Sequence, residues 1–282
     1  MSKYTVLFNP LADNGRGEQN ARKLESMMQG NELEFTDITK IESYRQFFEK
    51  YDQDMHFVIA GGDGTLNHFI NGDTVGNRQI LYYPSGSGND FFRDVGDIGQ
   101  GKPFLLNPFL ANLPEVTVQG KTSRFINGIG YGIDGYCCEE GDNQREKTHK
   151  RVNYTAIALK GLFYDYHPRT AKVTVDGQKH EFRKVWMAPT MNGRYFGGGM
   201  MVTPNQDRLN PKKTVTLMVA HDLSRLRILR MFPLIFKGNH VQSEDVITIF
   251  EGHEITVEYD IPCALQIDGE TVTDVVSYSV KS

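Results

Sequence analysis

Hydrophobic and polar positions follow two rhythms along this chain. Over roughly the first third, short apolar runs rich in β-branched and aromatic residues each lead into a loop with glycine or Asx residues, then into an amphipathic stretch. "YTVLF" passes through "NPLADNGRG" into "EQNARKLESMM", "HFVIA" through "GGDGT" into "LNHFIN", and "ILYYP" through "SGSGN" into "DFFRDV". Strands alternating with helices predict an α/β domain with a parallel sheet covered on both faces, and ligands bind at the carboxyl ends of such strands. In the second half the period falls to two. "AKVTVDGQKHEF", "KTVTLMVA", "DVITIF", "EITVEYD" and "ALQIDGETV" read as strands joined by Asp-Gly or polar turns, which predicts a β-rich C-terminal domain. The expected division is residues 1–110 and 111–282, with the boundary between Phe104 and Glu115.

The loop of the second unit raises the chemical question. Leu66, Phe69 and Ile70 share one helical face after it, Thr65 is placed to cap that helix, and Gly72 is placed to stop it. Gly61, Gly62 and Gly64 let backbone N–H groups approach an anion, and the helix N-terminus adds partial positive charge. An isolated Gly-Gly pair would make only a tight turn. Here a second glycine-rich strand-to-helix loop, Gly86-Ser87-Gly88, follows at βαβ distance, so the pair reads as a phosphate cradle. Neither loop is a generic grip: no G-x-x-x-x-G-K-[ST] occurs, and "GSGND" lacks the third glycine of the dinucleotide fingerprint. Asp63, in the middle of the first loop, would be repelled by phosphates unless a cation or an acceptor hydroxyl lay between them. Mg²⁺ is the usual mediator, and phosphoryl transfer is the matching reaction class.

Composition narrows the partners. The chain has 282 residues, a formal charge of −4 and no block of like charges, so nucleic acid is not an expected partner. Cys137, Cys138 and Cys263 form no disulfide framework and show no metal-ligand spacing, and they read as reduced intracellular thiols. "MSKYTVLFNP" is too short for a signal sequence, and no run reaches transmembrane length, so a cytoplasmic location is expected. There is no zincin histidine pair and no G-x-S-x-G elbow, and the lone Trp186 reads as core.

"GGDGTLNHFING" followed by "YPSGSGNDFFRDVG" resembles the catalytic domain of the diacylglycerol kinase family of lipid kinases, which includes sphingosine and ceramide kinases. "NPLADNG", "FINGIGYGIDG", "MNGRYFGGGMMVTP" and "LQIDGE" are similar to the family's other blocks, in their usual order and across nearly the whole chain. The resemblance implies an ATP-binding N-terminal domain of NAD kinase/diacylglycerol kinase type and a β-sandwich-like C-terminal domain that completes the active-site cleft. It implies ATP and Mg²⁺ as cofactors and the hydroxyl of a lipid, foremost diacylglycerol, as acceptor.

Carried over by motif, Asn9, Pro10 and the loop to Asp13 form the first ATP-contacting element, and Thr39 matches a threonine near the adenosine. Gly61, Gly62, Asp63, Gly64, Thr65, Leu66 and Asn67, on to His68, would line the phosphates, joined by Gly86, Ser87, Gly88, Asn89 and Asp90. Ser87 stands where the family has threonine, and Asn89 and Asp90 are also placed to cap the next helix. Asp268 and Glu270 match the catalytic carboxylates, with Glu270 as proton acceptor and Asp268 a close alternative, because an attacking hydroxyl must lose its proton. Asp-Gly is also the strongest hairpin signal, and Asp176-Gly177 is the same dipeptide read only as a turn.

One block departs from the pattern. Where the family has an Asp-Gly pair that helps hold a second, structural Mg²⁺, this chain reads "TPNQDRLNPKKTVTL", with Asn210-Pro211 in its place. Either Asp207 substitutes beside Asn210, or carbonyl groups suffice, or that metal is absent. A lipid acceptor implies contact with the inner face of the membrane, and "LSRLRILRMFPLIFKG" is compatible with interfacial docking or with an ordinary packed helix broken near Pro233. "NQREKTHKR" reads as a solvated helix face or loop, and Gly197-Gly198-Gly199 as a close backbone approach. A homodimer through C-terminal strand edges stays open. So do a kinase for a soluble acceptor such as NAD and a nucleotide sensor without turnover.

Overall fold

Five strands of the N-terminal third order as β2-β1-β3-β4-β5, all parallel except the last. The computed structural model describes residues 2–73, 78–96, 98–148 and 152–282. It divides into two compact units, Met1–Asn112 and Leu113–Ser282. The first runs β1 (Lys3–Phe8), α1 (Ala12–Gly15), α2 (Gly17–Ala21), α3 (Leu24–Met27), β2 (Glu32–Asp37), α4 (Tyr44–Glu49), β3 (His56–Gly61), α5 (Asp63–Ile70), β4 (Ile80–Pro84), α6 (Asp90–Val95), β5 (Phe104–Leu105) and α7 (Asn107–Leu110).

The three strands expected here all form, and Leu66, Phe69 and Ile70 of α5 are buried together. The helix expected over "EQNARKLESMM" is instead split into α2 and α3. The split still sets Ala21 and Leu24 into the core with Val6 and Val58.

The second unit comprises β6 (Glu115–Val118), β7 (Lys121–Arg124), β8 (Gly128–Tyr131), α8 (Ile133–Thr148), α9 (Tyr154–Lys160) running on into a wide turn at Gly161–Asp165, β9 (Arg169–Val175), β10 (Gln178–Val185), β11 (Thr190–Met191), β12 (Tyr195–Phe196), β13 (Met200–Met201), β14 (Val215–Ala220), α10 (Arg225–Ile235), β15 (Ile247–Gly252), β16 (Glu254–Ile267) and β17 (Glu270–Lys281). Its sheet is antiparallel. The first half of β16 pairs with β9 and its second half with β8, so one 14-residue strand links both parts of a sandwich-like core that buries Tyr131, Tyr259 and Tyr278.

Two helices differ from expectation. Only the charged end of α8 was legible. Asn143–Thr148 of "NQREKTHKR" lies in the helix, and residues 149–151 are outside the described residues. The rest of α8 packs through glycines rather than large apolar residues. A Cβ on Gly135 would stand 2.0 Å from the Ala264 carbonyl oxygen, and one on Gly141 would stand 2.5 Å from the Tyr154 ring. α10 does not break at Pro233 but continues to Ile235. Pro233 lies on the exposed side, where the missing N–H leaves one carbonyl to solvent, while Met231 and Ile235 anchor the last turn. Trp186 is buried as expected, its Nε1 donating to the Leu223 carbonyl at 3.0 Å.

Candidate active site

β3 carries Gly61 and Gly62 to the start of α5, where Gly62, not Thr65, occupies the N-cap. Thr65 is buried two residues into the helix, and its side chain fills the space a Cβ on Gly61 would need, 2.4 Å away, so its work is packing rather than capping. Leu66 is wholly buried, so its side chain belongs to the core rather than to the face that would meet a nucleotide. Asn67 is half-buried, and Gly64 is exposed. A Cβ on Gly64 would meet no protein atom within 4 Å beyond its own helix and chain neighbours.

The second glycine loop lies against the first. Ser85 N–H donates to the Gly61 carbonyl at 2.9 Å. A Cβ on Gly86 would stand 2.4 Å from Gly62 Cα, and one on Gly62 would stand 3.0 Å from Gly86 Cα. The loops therefore touch backbone to backbone, with room for a side chain at neither glycine. Gly88 is half-buried and Ser87 exposed.

Asn89 sits in the left-handed region at φ 51° and donates its Nδ2 to the Gly86 carbonyl at 2.7 Å. It occupies the N-cap position of α6 as expected, but its side chain makes no capping hydrogen bond, and Asp90 is the buried first residue of the helix. The cap comes from the other loop, since Asp63 accepts Asp90 N–H through Oδ2 and Phe91 N–H through Oδ1, each at 2.9 Å. A carboxylate at a helix N-terminus is favoured by hydrogen bonding and by the dipole together. Asp63 thus ties the two glycine loops into one rigid piece.

The first loop joins the same piece. Asn9 Oδ1 accepts Leu11 N–H at 2.9 Å beside the half-exposed Pro10, and Asp13 accepts Asn20 Nδ2 at 2.9 Å. Asn20 Nδ2 also reaches the Ser85 carbonyl at 3.3 Å. Asn20 escaped the sequence reading, because a lone amide in a charged segment carries no local signal. Thr39 is exposed in the turn after β2, and its hydroxyl donates to Asp37 at 2.7 Å.

In the second unit, three motifs far apart in sequence converge. Asp268 turns between β16 and β17 at φ 48°, followed by Gly269 at φ 96°. Its buried carboxylate accepts N–H groups from Ile126 (2.6 Å), Asn127 (2.8 Å) and Gly128 (3.0 Å), all in "FING". Asn192 and Gly193 of "MNG" donate N–H groups to the Asn127 carbonyl at 2.9 and 3.0 Å. Arg208 donates to the Ile126 carbonyl at 2.9 Å.

Asp176, taken as a plain turn, uses its carboxylate the same way, accepting His253 and Glu254 N–H groups at 2.9 and 2.8 Å. By that parallel Asp268 is a clamp with both oxygens occupied by N–H groups, which argues against it as the alternative proton acceptor. Glu270 is exposed at the first residue of β17. Gly269 before it is held by Gln266 Oε1 at 2.7 Å, and Thr271 after it donates to Asp142 of α8 at 2.7 Å.

Asp134, in "GIDG", was not singled out from the sequence. It is buried at the start of α8, and burial, outweighing the nearby N–H groups of Asp134 and Gly135, pushes its carboxyl up to about 7. The folded state therefore binds this proton more tightly than the unfolded chain, and stability falls as pH rises from about 4 to about 7 before levelling. Asp134→Asn is expected to raise unfolding free energy at pH 8 by up to about 4 kcal/mol and by much less at pH 5. Denaturant titrations at the two pH values check this. Cys137, Cys138 and Cys263 surround the same region as free thiols, and burial raises all three, Cys138 and Cys263 to about 12, which suits packing rather than nucleophilic chemistry.

Two further expectations change. Gly197, Gly198 and Gly199 all have positive φ and form the turn between β12 and β13. Backbone conformation calls for glycine at all three, and the close neighbour at Gly197 is a side chain rather than backbone, since a Cβ there would stand 2.4 Å from the Met200 methyl. Asp207 and Asn210 do not come together as cation ligands. Asn210 points its amide hydrogens at backbone carbonyls, and among the described residues no group of three His, Cys, Asp or Glu side chains could hold a metal ion.

Comparison with known proteins accords with this geometry. Residues 3–107 match the model of the diacylglycerol kinase catalytic domain, and residues 127–280 match the YegS C-terminal NAD kinase beta sandwich-like domain, more than half of the chain. A diacylglycerol kinase of Mycobacterium tuberculosis is 26% identical over 199 residues, covering 68% of this chain but only 63% of that protein. A diacylglycerol kinase of Bacillus subtilis is 25% identical over 221 residues, covering 76% of this chain and 70% of that one. The crystal structure of a diacylglycerol kinase from Bacillus anthracis superimposes with a TM-score of 0.65 at 17% identity, covering 100% of this chain and 94% of that one, a likeness of fold.

Proposed function

The chain belongs to the diacylglycerol kinase catalytic-domain family, and from that membership we propose that it transfers the γ-phosphoryl group of ATP to the hydroxyl of diacylglycerol, giving phosphatidic acid. It is an enzyme of the phosphotransferase class, with lipid-kinase-like activity as the general assignment. Diacylglycerol is suggested by relatives of that name, and the observation that carries the ATP part of the reading is Gly64. It is an exposed glycine in the first turn of α5, where an added Cβ would meet nothing within 4 Å beyond its own helix and chain neighbours, whereas Gly61 and Gly62 before it are packed, as a surface left open for phosphate would be.

Each unit supplies one part of the chemistry. In the first, the locked glycine loops and the start of α5 receive the phosphates without reorganising, and the Asn9 and Thr39 turns flank the nucleoside. Of this piece, the Asp63 carboxylate is the group that would face the Mg²⁺ of Mg·ATP. With both Asp63 oxygens accepting N–H groups, that carboxylate would meet the ion through its water shell, and the ion when bound neutralises charge on the transferring group. In the second, Glu270 takes the proton of the attacking hydroxyl, and Asp268 fixes the turn that presents it. The test is transfer of labelled γ-phosphate into mixed micelles of diacylglycerol, sphingosine, ceramide or a polyprenol. Label in diacylglycerol alone supports the proposal, label in another lipid reassigns the acceptor, and no label with ATP binding retained refutes the activity.

A lipid acceptor calls for a surface that meets lipid. No helix among the described residues is long and apolar enough to cross a membrane. α10 buries Ile228, Met231 and Ile235 but exposes Leu226 (59%) and Leu234 alongside Arg230, with exposed Phe236 and Lys237 just after it; Arg227 is paired with Asp245, and the helix itself has no acidic residue. Arg225 joins it to the wide turn by donating to the Leu162 and Tyr166 carbonyls at 2.7 and 3.0 Å, and that turn exposes Phe163 (49%) and Tyr164 (74%). Apolar tips among cations fit an anionic interface. Phe163→Ser with Leu226→Ser is expected to weaken sedimentation with phosphatidylglycerol vesicles about tenfold. Phosphorylation of a soluble short-chain diacylglycerol by the same variant should stay unchanged.

A further inference from the structure

The loop between β13 and β14 is where the family resemblance implies a structural Mg²⁺, and its donor set does not fit one. Two backbone carbonyls, of Asp207 and Thr214, converge on a single point, the arrangement a hard cation takes. That point is filled by Asn210 Nδ2, which donates to them at 2.7 and 3.1 Å. The other end of the amide is used as well. Asn210 Oδ1 accepts Thr214 N–H at 3.2 Å, while the Thr214 hydroxyl donates to Glu251. Neither nearby carboxylate faces that point: Asp207 is exposed and turned back to accept Leu209 N–H at 2.9 Å, and Glu251 accepts the Thr214 hydroxyl.

We propose that the side-chain amide of Asn210 replaces the structural cation, cross-linking both ends of the 207–214 loop so that this unit folds and holds its shape without a divalent metal. An amide supplies two N–H donors to the carbonyls a cation would ligate, and unlike a carboxylate it adds no charge that would then need neutralising. Pro211 suits the same plan, since it fixes the backbone beside Asn210 and removes an N–H that would need a partner. The cross-link matters because Arg208 lies inside the loop and reaches the Ile126 carbonyl at 2.9 Å, on the segment that grips Asp268. Asn210 thus braces the loop from which Arg208 reaches that segment, and divalent metal is left to the nucleotide alone.

The proposal stands whether or not the acceptor is a lipid, and its test reads melting temperature without nucleotide. The unsubstituted protein is expected to melt within about 1 °C in EDTA and in millimolar MgCl₂ or CaCl₂. Asn210→Asp sets a carboxylate against two carbonyl oxygens and should melt about 3–8 °C lower in EDTA, recovering when Mg²⁺ or Ca²⁺ is added. Asn210→Ala should fall similarly and not recover. A protein that loses several degrees in EDTA and regains them with Mg²⁺ would overturn the idea, and that comparison needs no variant to fold. Asn210→Asp melting with the unsubstituted protein in EDTA would overturn it equally.

Discussion

Replacing Glu270 by glutamine is expected to lower the turnover of lipid phosphorylation by about 10²–10⁴-fold, the usual contribution of a positioned general base, while ATP affinity and melting temperature stay as they were. The selectivity follows from the side chain's surroundings. Glu270 is exposed and accepts no hydrogen bond among the described residues, so the isosteric amide removes a proton acceptor and disturbs no packing. Asp268→Asn should behave differently. Its two oxygens accept three backbone N–H groups in a buried setting, and an amide turns one acceptor into a donor that faces a donor. At least one N–H is left unsatisfied, at about 1–3 kcal/mol, so melting temperature should fall together with activity. Single-turnover rates and thermal melts on both variants separate the roles. If Glu270→Gln keeps more than a tenth of the turnover, the proton goes elsewhere and the division between the two carboxylates is wrong.

The same contrast explains what the sequence could and could not convey. The α/β unit was legible because strand, glycine loop and amphipathic helix repeat at short range. β2 was missed because Glu32 and Glu34 alternate with half-buried residues at a sheet edge and resemble a solvated segment. All but the charged end of α8 was missed because its close contacts use Gly135 and Gly141, which leave no apolar stripe. Asp63 was found by its loop, but its task is set by N–H groups of Asp90 and Phe91, 27 and 28 residues further on. Likewise Asp268, Asn192 and Arg208 act on one backbone segment, Ile126–Gly128, from positions that only the folded sheet brings together. Motifs gave the positions of the chemistry, and long-range hydrogen bonds decided which carboxylate is a clamp and which stays open.

Gly64→Ala should make the protein slightly more stable and much worse at using ATP. In the folded unit the added methyl meets no atom within 4 Å beyond its own helix and chain neighbours, and near the start of α5 alanine is favoured over glycine by up to about 1 kcal/mol, or a few degrees of melting temperature. If phosphates seat on the N–H groups of this loop, the methyl occupies their approach. A displacement on the order of 1 Å then costs about 10–100-fold in kcat/KM for ATP.

Gly86→Ala supplies the opposite case. Its methyl would lie 2.4 Å from Gly62 Cα, where the obstacle is backbone that has no rotamer to move. Forcing the loops apart should cost about 1–3 kcal/mol of stability and reduce ATP use as well. Only Gly64 therefore separates the two reasons for a glycine here. A Gly64→Ala protein that melts higher and binds ATP normally would mean that the loop is merely a turn between β3 and α5. Higher melting with lost ATP affinity would mean that the missing side chain is kept absent for a ligand.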